Sequence, residues 1–198
     1  MIIEDMNMRS NDKFILRKQE LVIEISKLIT RDGFENLTIR GICKELGIST
    51  GSFYHYFPDK GDLIKVLFAD IDDYFEHVVS KDFTEDEHQN LITFCENYGI
   101  YTVRNGVETC RCISVAPLKT KANIYLENDR AIFQVLHQIL QRGSLKEQFH
   151  LTQSVEETTN MLLILLRGYS ADWAKRNGDY DLVAGIKSFI TIFMKSIA

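Results

Sequence analysis

Residues 49–60 of this 198-residue chain read STGSFYHYFPDK. Four small residues, Ser49, Thr50, Gly51 and Ser52, precede five consecutive rings, Phe53, Tyr54, His55, Tyr56 and Phe57. Pro58, one of only two prolines, ends the run, and Lys60 follows. The small residues offer hydroxyls, the Thr50 methyl and, at Gly51, room for the backbone to approach a surface closely. Two phenol hydroxyls, an imidazole N–H and an ammonium are donors suited to anionic oxygens. Together they match the chemistry of a nucleic-acid duplex, with base edges inside the groove and phosphates at its rim.

Elsewhere the reactive groups are sparse. The five histidines are scattered singly, and no nucleophile–base pattern, phosphate loop or paired metal-ligand spacing such as H-E-x-x-H occurs. This argues against an enzyme and against a metal site. The stretch ETCRCIS places Arg111 between Cys110 and Cys112, and a cation beside a thiol lowers its pKa, so a thiol sensor is a second reading. Two such ligands do not make a zinc site. At i and i+2 of a helix their side chains diverge, which disfavours a direct disulfide.

The elements that position the 49–60 stretch follow from periodicity and caps. Phe14, Leu21, Ile25, Leu28 and Ile29 recur at three- and four-residue spacing and predict a helix over 13–31, with Gly33 at its C-cap. Thr38 caps a short second helix carrying Ile39, Ile42, Cys43 and Leu46, which closes at Gly47. Ser49 caps a third, held to about two turns because Pro58 pushes Phe57 out of helical geometry. Asp59 caps a fourth. Further helices are predicted at 85–104, 108–116, 122–142, 154–176 and 180–197, separated by Asn105-Gly106, Pro117, Gly143 and Asn177-Gly178. The reading is all-α, with about nine helices: an N-terminal three-helix domain over 1–60 and a larger helical domain over 61–198, meeting within the fourth helix.

Two short helices joined through Gly47, the second small-faced at its start, form a helix-turn-helix pattern. Its second helix would place Thr50, Gly51 and Ser52 against base edges, with Phe53 turned inward. Tyr54, His55 and Tyr56 then stand near the groove rim, and Lys60 and Thr38 are further candidates for phosphate contact. The overall charge of −5 does not favour nucleic acid, yet residues 9–60 carry a net +2 while the chain from 61 onward carries −5, so the small basic excess falls where the motif is. No apolar run approaches the roughly 20 residues that span a bilayer, and the N-terminus lacks a basic segment followed by a long apolar one. A cytoplasmic protein with four reduced cysteines is expected.

Residues 13–68 resemble the DNA-binding domain of the TetR/AcrR family of bacterial transcriptional regulators. The resemblance rests on DGFENLTIRGICKELGISTGSFYHYFPDKGDLI, and above all on Gly33, Thr38, Gly47, Gly51 and the Tyr54-x-Tyr56-Phe57-x-x-Lys60 tail. Cys43 departs from it, standing where the family usually has alanine. The resemblance implies a homodimer paired through the last two helices and an effector pocket among the middle ones. It further implies a repressor that binds a pseudo-palindromic operator and is released by a small-molecule effector, with no other cofactor.

The residues of the body fit those expectations. Met161 to Leu166, MLLILL, is apolar all round, and the last helix has an over-wide apolar stripe. Met161, Leu162, Leu165, Leu166, Ile186, Phe189, Ile190 and Phe193 are the expected dimer residues. Phe94, Tyr98, Tyr101, Phe133, Tyr169 and Trp173, with Arg104 and His137, are the expected lining for an aromatic or amphipathic ligand. A DNA-anchored interaction adaptor with no small-molecule effector is the alternative from another class.

Overall fold

The computed structural model describes residues 10–34, 36–59, 62–119 and 128–197, and every regular element among them is helical. In chain order these are α1 (Ser10–Asp32), α2 (Ile39–Leu46), α3 (Thr50–Tyr56), α4 (Asp62–His77), a 3-10 turn (Val79–Asp82), α5 (Glu87–Lys119), α6 (Ala131–Leu145), α7 (Val155–Lys175) and α8 (Leu182–Ile197). Among the described residues there are eight α-helices, with the segments predicted at 85–104 and 108–116 counted together as α5. That helix is broken at Gly106, whose φ of 82° and ψ of 167° lie outside helical space and suit only glycine.

Two apolar clusters organise the chain. Leu21, Ile25 and Ile29 of α1 meet Ile42 of α2 and Phe53 and Phe57 around α3, with Leu63 and Phe68 of α4 closing the first. The second gathers Ile71 and Phe75 of α4, Leu91 and Phe94 of α5, Leu136 and Ile139 of α6, Leu162 and Leu166 of α7, and Ile186 and Ile190 of α8. The far end of α5 returns to the first cluster through Cys112, with Ile113 packed beside it. The clusters therefore touch along α4 and the last turns of α5.

Two carboxylates fix the second cluster's helices. Glu87, 1% exposed, accepts from Arg142 Nε at 2.8 Å, Asn90 Nδ2 at 2.9 Å and Lys146 Nζ at 3.1 Å, tying the start of α5 to the end of α6. Burial alone would push its carboxyl up, but these bonds and the Arg142 charge outweigh that and hold it below the usual range. Asp72 of α4 accepts from Arg130 Nε at 2.9 Å and from the Ile132 amide at 3.0 Å, so it satisfies an amide that the first turn of α6 leaves open.

Two expectations need correction. Of the helix predicted at 122–142, residues 122–127 lie outside the described residues; 128–130 are not helical, and α6 starts at Ala131, after an extended Arg130 at its N-cap, and continues through Gly143 to Leu145. Gly143 is there for packing, not termination: a Cβ would lie 2.1 Å from the Phe149 ring. Of the eight expected dimer residues, Leu162, Leu166, Ile186 and Ile190 are at most 1% exposed within the single chain, because α5 packs against both α7 and α8 and covers their inner faces. The apolar residues left facing outward are Met161 and Ile164 on α7 and Ile192 on α8, with Leu165, Phe189 and Phe193 half-buried beside them.

The Gly143 contact sets a test. Gly143→Ala should lower stability by about 1–3 kcal/mol, the usual cost of overpacking, seen as an earlier urea midpoint with unchanged slope. Equal midpoints would show that the Phe149 ring can step aside.

Candidate nucleic-acid interface and effector cavity

α3 has seven residues, too short to be stable alone, and is built onto its domain from both ends. At its start Ser49 Oγ accepts from the Ser52 amide at 3.0 Å. At its end the Phe57 amide donates to Phe53 O at 2.9 Å, with Phe57 already extended before Pro58. Phe53 and Phe57 are both fully buried, each contributing about 1.5–3 kcal/mol of burial. The turn from α2 needs Gly47 at φ 64°, where the Ile48 amide returns to Cys43 O at 3.0 Å. α2 itself begins at Thr38, whose Oγ1 accepts from the Gly41 amide at 3.0 Å and keeps its own proton to donate.

This construction leaves Thr50, Gly51, Ser52, Tyr54 and His55 exposed, with Tyr56 half-buried. The Phe14 ring of α1 stacks on Tyr56 at 4.9 Å and meets His55 edge-on at 5.1 Å. Arg17, one turn on, lines a cleft with Gly51, Ser52, His55 and Tyr56. Arg17 is a candidate contact that sequence reasoning missed, and the Phe14-x-x-Arg17 spacing on one helix face was the available signal. Its guanidinium is held by Glu20 at 2.7 Å, half-exposed, where such a pair is weak and easily exchanged for another anion. Lys60 lies outside the described residues.

The second candidate site is a mostly apolar cavity of about 60 Å³ in the body. Phe68 and Ile71 of α4 form one wall. The break at Gly106 lets both halves of α5 open on it, with Tyr98, Tyr101 and Thr102 before the break and Thr109, Cys110 and Ile113 after it. Arg130, Ile132 and Phe133 come from the start of α6, and Leu163, Arg167 and Ser170 from α7. Of the eight expected ligand residues, Tyr98, Tyr101 and Phe133 line this space.

The other five do not. Phe94 is fully buried against Phe75 at 4.5 Å. Trp173 donates its Nε1–H to Tyr180 O, bracing the α7–α8 turn. Tyr169 packs on Phe189 and His137 on Phe133, outside the cavity, while Arg104 opens on an exposed cleft beside Asp70 and Asp73. Sequence reasoning passed over Arg130 and Arg167 because an arginine in a helical segment is normally solvated.

The cavity is wired to α4. Arg130 holds Asp72 through two nitrogens, at 2.9 and 3.2 Å, and lies 4.8 Å over the Phe68 ring. The Tyr101 hydroxyl donates to Asp70 at 2.5 Å, and burial together with that bond pushes its pKa up.

The family model for bacterial regulatory proteins of the tetR family matches residues 18–67. Residues 18–67 therefore carry the DNA-binding domain of that family. An HTH-type transcriptional regulator of Staphylococcus aureus (strain USA300) is 40% identical over 65 residues, 32% of this chain and 34% of that relative. The match thus spans about a third of the curated relative's length. Among solved structures, FadR from Bacillus subtilis in complex with stearoyl-CoA aligns with a TM-score of 0.71 at 17% identity, covering 91% of this chain and 99% of that one. A TetR-family regulator from Pectobacterium atrosepticum aligns at 0.74 and 13%, covering 96% and 97%. A protein from Saccharomonospora viridis in complex with choline aligns at 0.67 and 18%, covering 91% and 97%. At these identities the likeness is one of fold, and it extends through the body beyond the tetR-family domain.

Burial counts against the thiol reading. All four cysteines are buried and free. Burial pushes Cys43 and Cys95 up, and Cys110 up to about 11, against the weaker pull of the Arg111 charge. Arg111 instead pairs with Glu108 and Asn177. Native protein at pH 7 should therefore leave its thiols unreacted with a chromogenic disulfide reagent over minutes, and titrate four after unfolding. One fast-reacting thiol in the native state would revive the sensor reading.

Proposed function

We propose that the chain is a dimeric, effector-responsive transcriptional repressor acting on a pseudo-palindromic operator. The observation that carries it is the α2–Gly47–α3 unit, where Phe53 and Phe57 anchor a two-turn helix whose exposed first turn holds only Thr50, Gly51 and Ser52. A helix presented this way can enter a major groove with its small residues at base edges. Tyr54, His55, Tyr56, Thr38 and Arg17 would grip phosphates around it, joined by Lys60. The domains would divide near residue 60, with α4 as the shared rod.

On oligonucleotides selected from a random pool by the wild type, Thr50→Ala should change base preference. Tyr56→Phe should weaken every sequence alike. Arg17→Ala and Lys60→Ala should each reduce the slope of log affinity against log salt by about one. Affinity, preference and slope unchanged in all four variants would overturn the docking geometry.

The partner surface would be the outer faces of α7 and α8. Met161, Ile164 and Leu165 recur at helical spacing on α7, Ile192 is exposed on α8, and a two-fold axis would bury each such residue twice. Ile164→Asp combined with Ile192→Asp should give a folded monomer in sedimentation at micromolar concentration, since neither side chain belongs to the chain's own core. A persistent dimer would place the interface elsewhere.

Support for an effector comes from the cavity and from two structural neighbours, one in complex with stearoyl-CoA and one with choline. A ligand entering the cavity would press on Phe68, Ile71 and the Arg130–Asp72 pair, all acting on α4, and so change the spacing of the two recognition helices. It shifts the equilibrium only by its differential affinity for the two spacings.

A further inference from the structure

The stretch ETCRCIS lies just past the Gly106 break, and its two cysteines belong to different cores. Cys110 is part of the second apolar cluster and donates its Sγ–H to Ser170 O of α7 at 3.2 Å. Cys112, two residues on, is buried in the first cluster, with Ile113 packed beside it. Side chains at i and i+2 of a helix diverge by about 200°. That divergence, which rules out a disulfide, is what a segment packed between two bodies needs.

A polar clamp runs beside the two cysteines. Half-exposed Arg111 donates through one terminal nitrogen to Glu108 and through the other to Asn177 Oδ1, in the turn between α7 and α8. Glu108 stands against the end of α1: a Cβ at Gly33, just past that helix, would lie 3.6 Å from its Oε2. The turn on the other side closes directly on the segment, since a Cβ at Gly178 would lie 3.2 Å from Val107 Cγ2. Its backbone is held there by the Gly178 amide, which donates to Trp173 O at 2.9 Å. α4 is one link between the two cores, and residues 107–113 are another on a different helix. A body carried on one rod can tilt with it; a second attachment fixes the tilt.

We infer that residues 107–113 form a second link between the DNA-binding domain and the α7–α8 pair, and that Arg111 is the positioning residue through which this link sets the half-site spacing the dimer accepts. This rests on the proposed reading of the chain as a dimer on a two-part operator. The break at Gly106 serves the link, because it frees the direction of residues 107–113 from that of the first half of α5. An exposed charged pair adds little to stability, so the clamp acts on the angle between domains and not on whether they fold.

The experiment uses the full-length protein and duplexes built from the sequence that the wild type selects from a random pool. One duplex carries a single half-site; the others carry two, with the spacer changed one base pair at a time. Arg111→Met removes the donors and keeps the stem, while Asn177→Gly removes the acceptor and suits the φ of 58° there. Each variant, folded by circular dichroism, should keep half-site affinity within about twofold. Its preference for the best spacing over the neighbouring ones should fall about threefold, the size such a contact supplies. The double variant should go no further than either alone, and Arg111→Lys should recover part of the preference. A wild-type spacing profile in both single variants overturns the inference. So does a half-site affinity that falls as far as the full-site affinity.

A second measurement reads the link without DNA. Spin labels at Lys44→Cys on α2 and Gln141→Cys on α6, both exposed, avoid the four buried native thiols, and dilution with unlabelled protein isolates distances within one chain. The distance distribution should broaden in Arg111→Met and in Asn177→Gly; no broadening in either overturns the link. Broadening with an unchanged spacing preference overturns the role of Arg111 in spacing. Broadening in a protein whose wild type prefers no spacing sinks the two-part operator and leaves the link standing.

Discussion

Leu63 and Phe68 pack into one core and Ile71 and Phe75 into another, yet all four stand on α4, a single rod about 24 Å long. The helix cannot rotate about its axis without losing contacts in both cores. Where the two sets meet stand Asp70 and, just past Ile71, Asp72, held by Tyr101 and Arg130. The cavity wall and the floor of the first domain are thus successive turns of one element. A close-packed interior transmits displacement instead of absorbing it, so a shift at Ile71 is also a shift at Phe68.

The first domain was legible in the sequence because its constraints are local. Thr38, Gly47, Ser49 and Pro58 each act within four residues of themselves, and each does in the structure what its chemistry dictates. Phe53 and Phe57 could be placed inward because a helix of two turns needs some anchor. Arg17 escaped because its nearness to α3 depends on how α1 crosses the recognition helix, which no local pattern encodes.

The body was legible only in outline. An all-round apolar run such as Met161–Leu166 says that both faces will be covered but not by what, and α5 covers the face expected to meet a partner. Aromatic residues gave a similar ambiguity: Phe94 and Trp173 serve packing and a turn, while Tyr98 and Phe133 line the cavity. Arg130 was not legible as a cavity residue because what holds it there is Asp72, far from it in sequence.

The stacking of Phe14 on Tyr56 bears on how fast and how tightly the proposed recognition surface can engage. Immobilising a rotamer-rich side chain on binding costs about 0.5–1.5 kcal/mol. Tyr56 and His55 are already wedged by a ring from another helix, so much of that loss is incurred during folding and is absent from association. Tyr54, half exposed and with no ring of α1 against it among the described residues, keeps more of its freedom until contact. The two tyrosines of one short helix are thereby unequal partners for a phosphate: one is a fixed post, the other a moving arm.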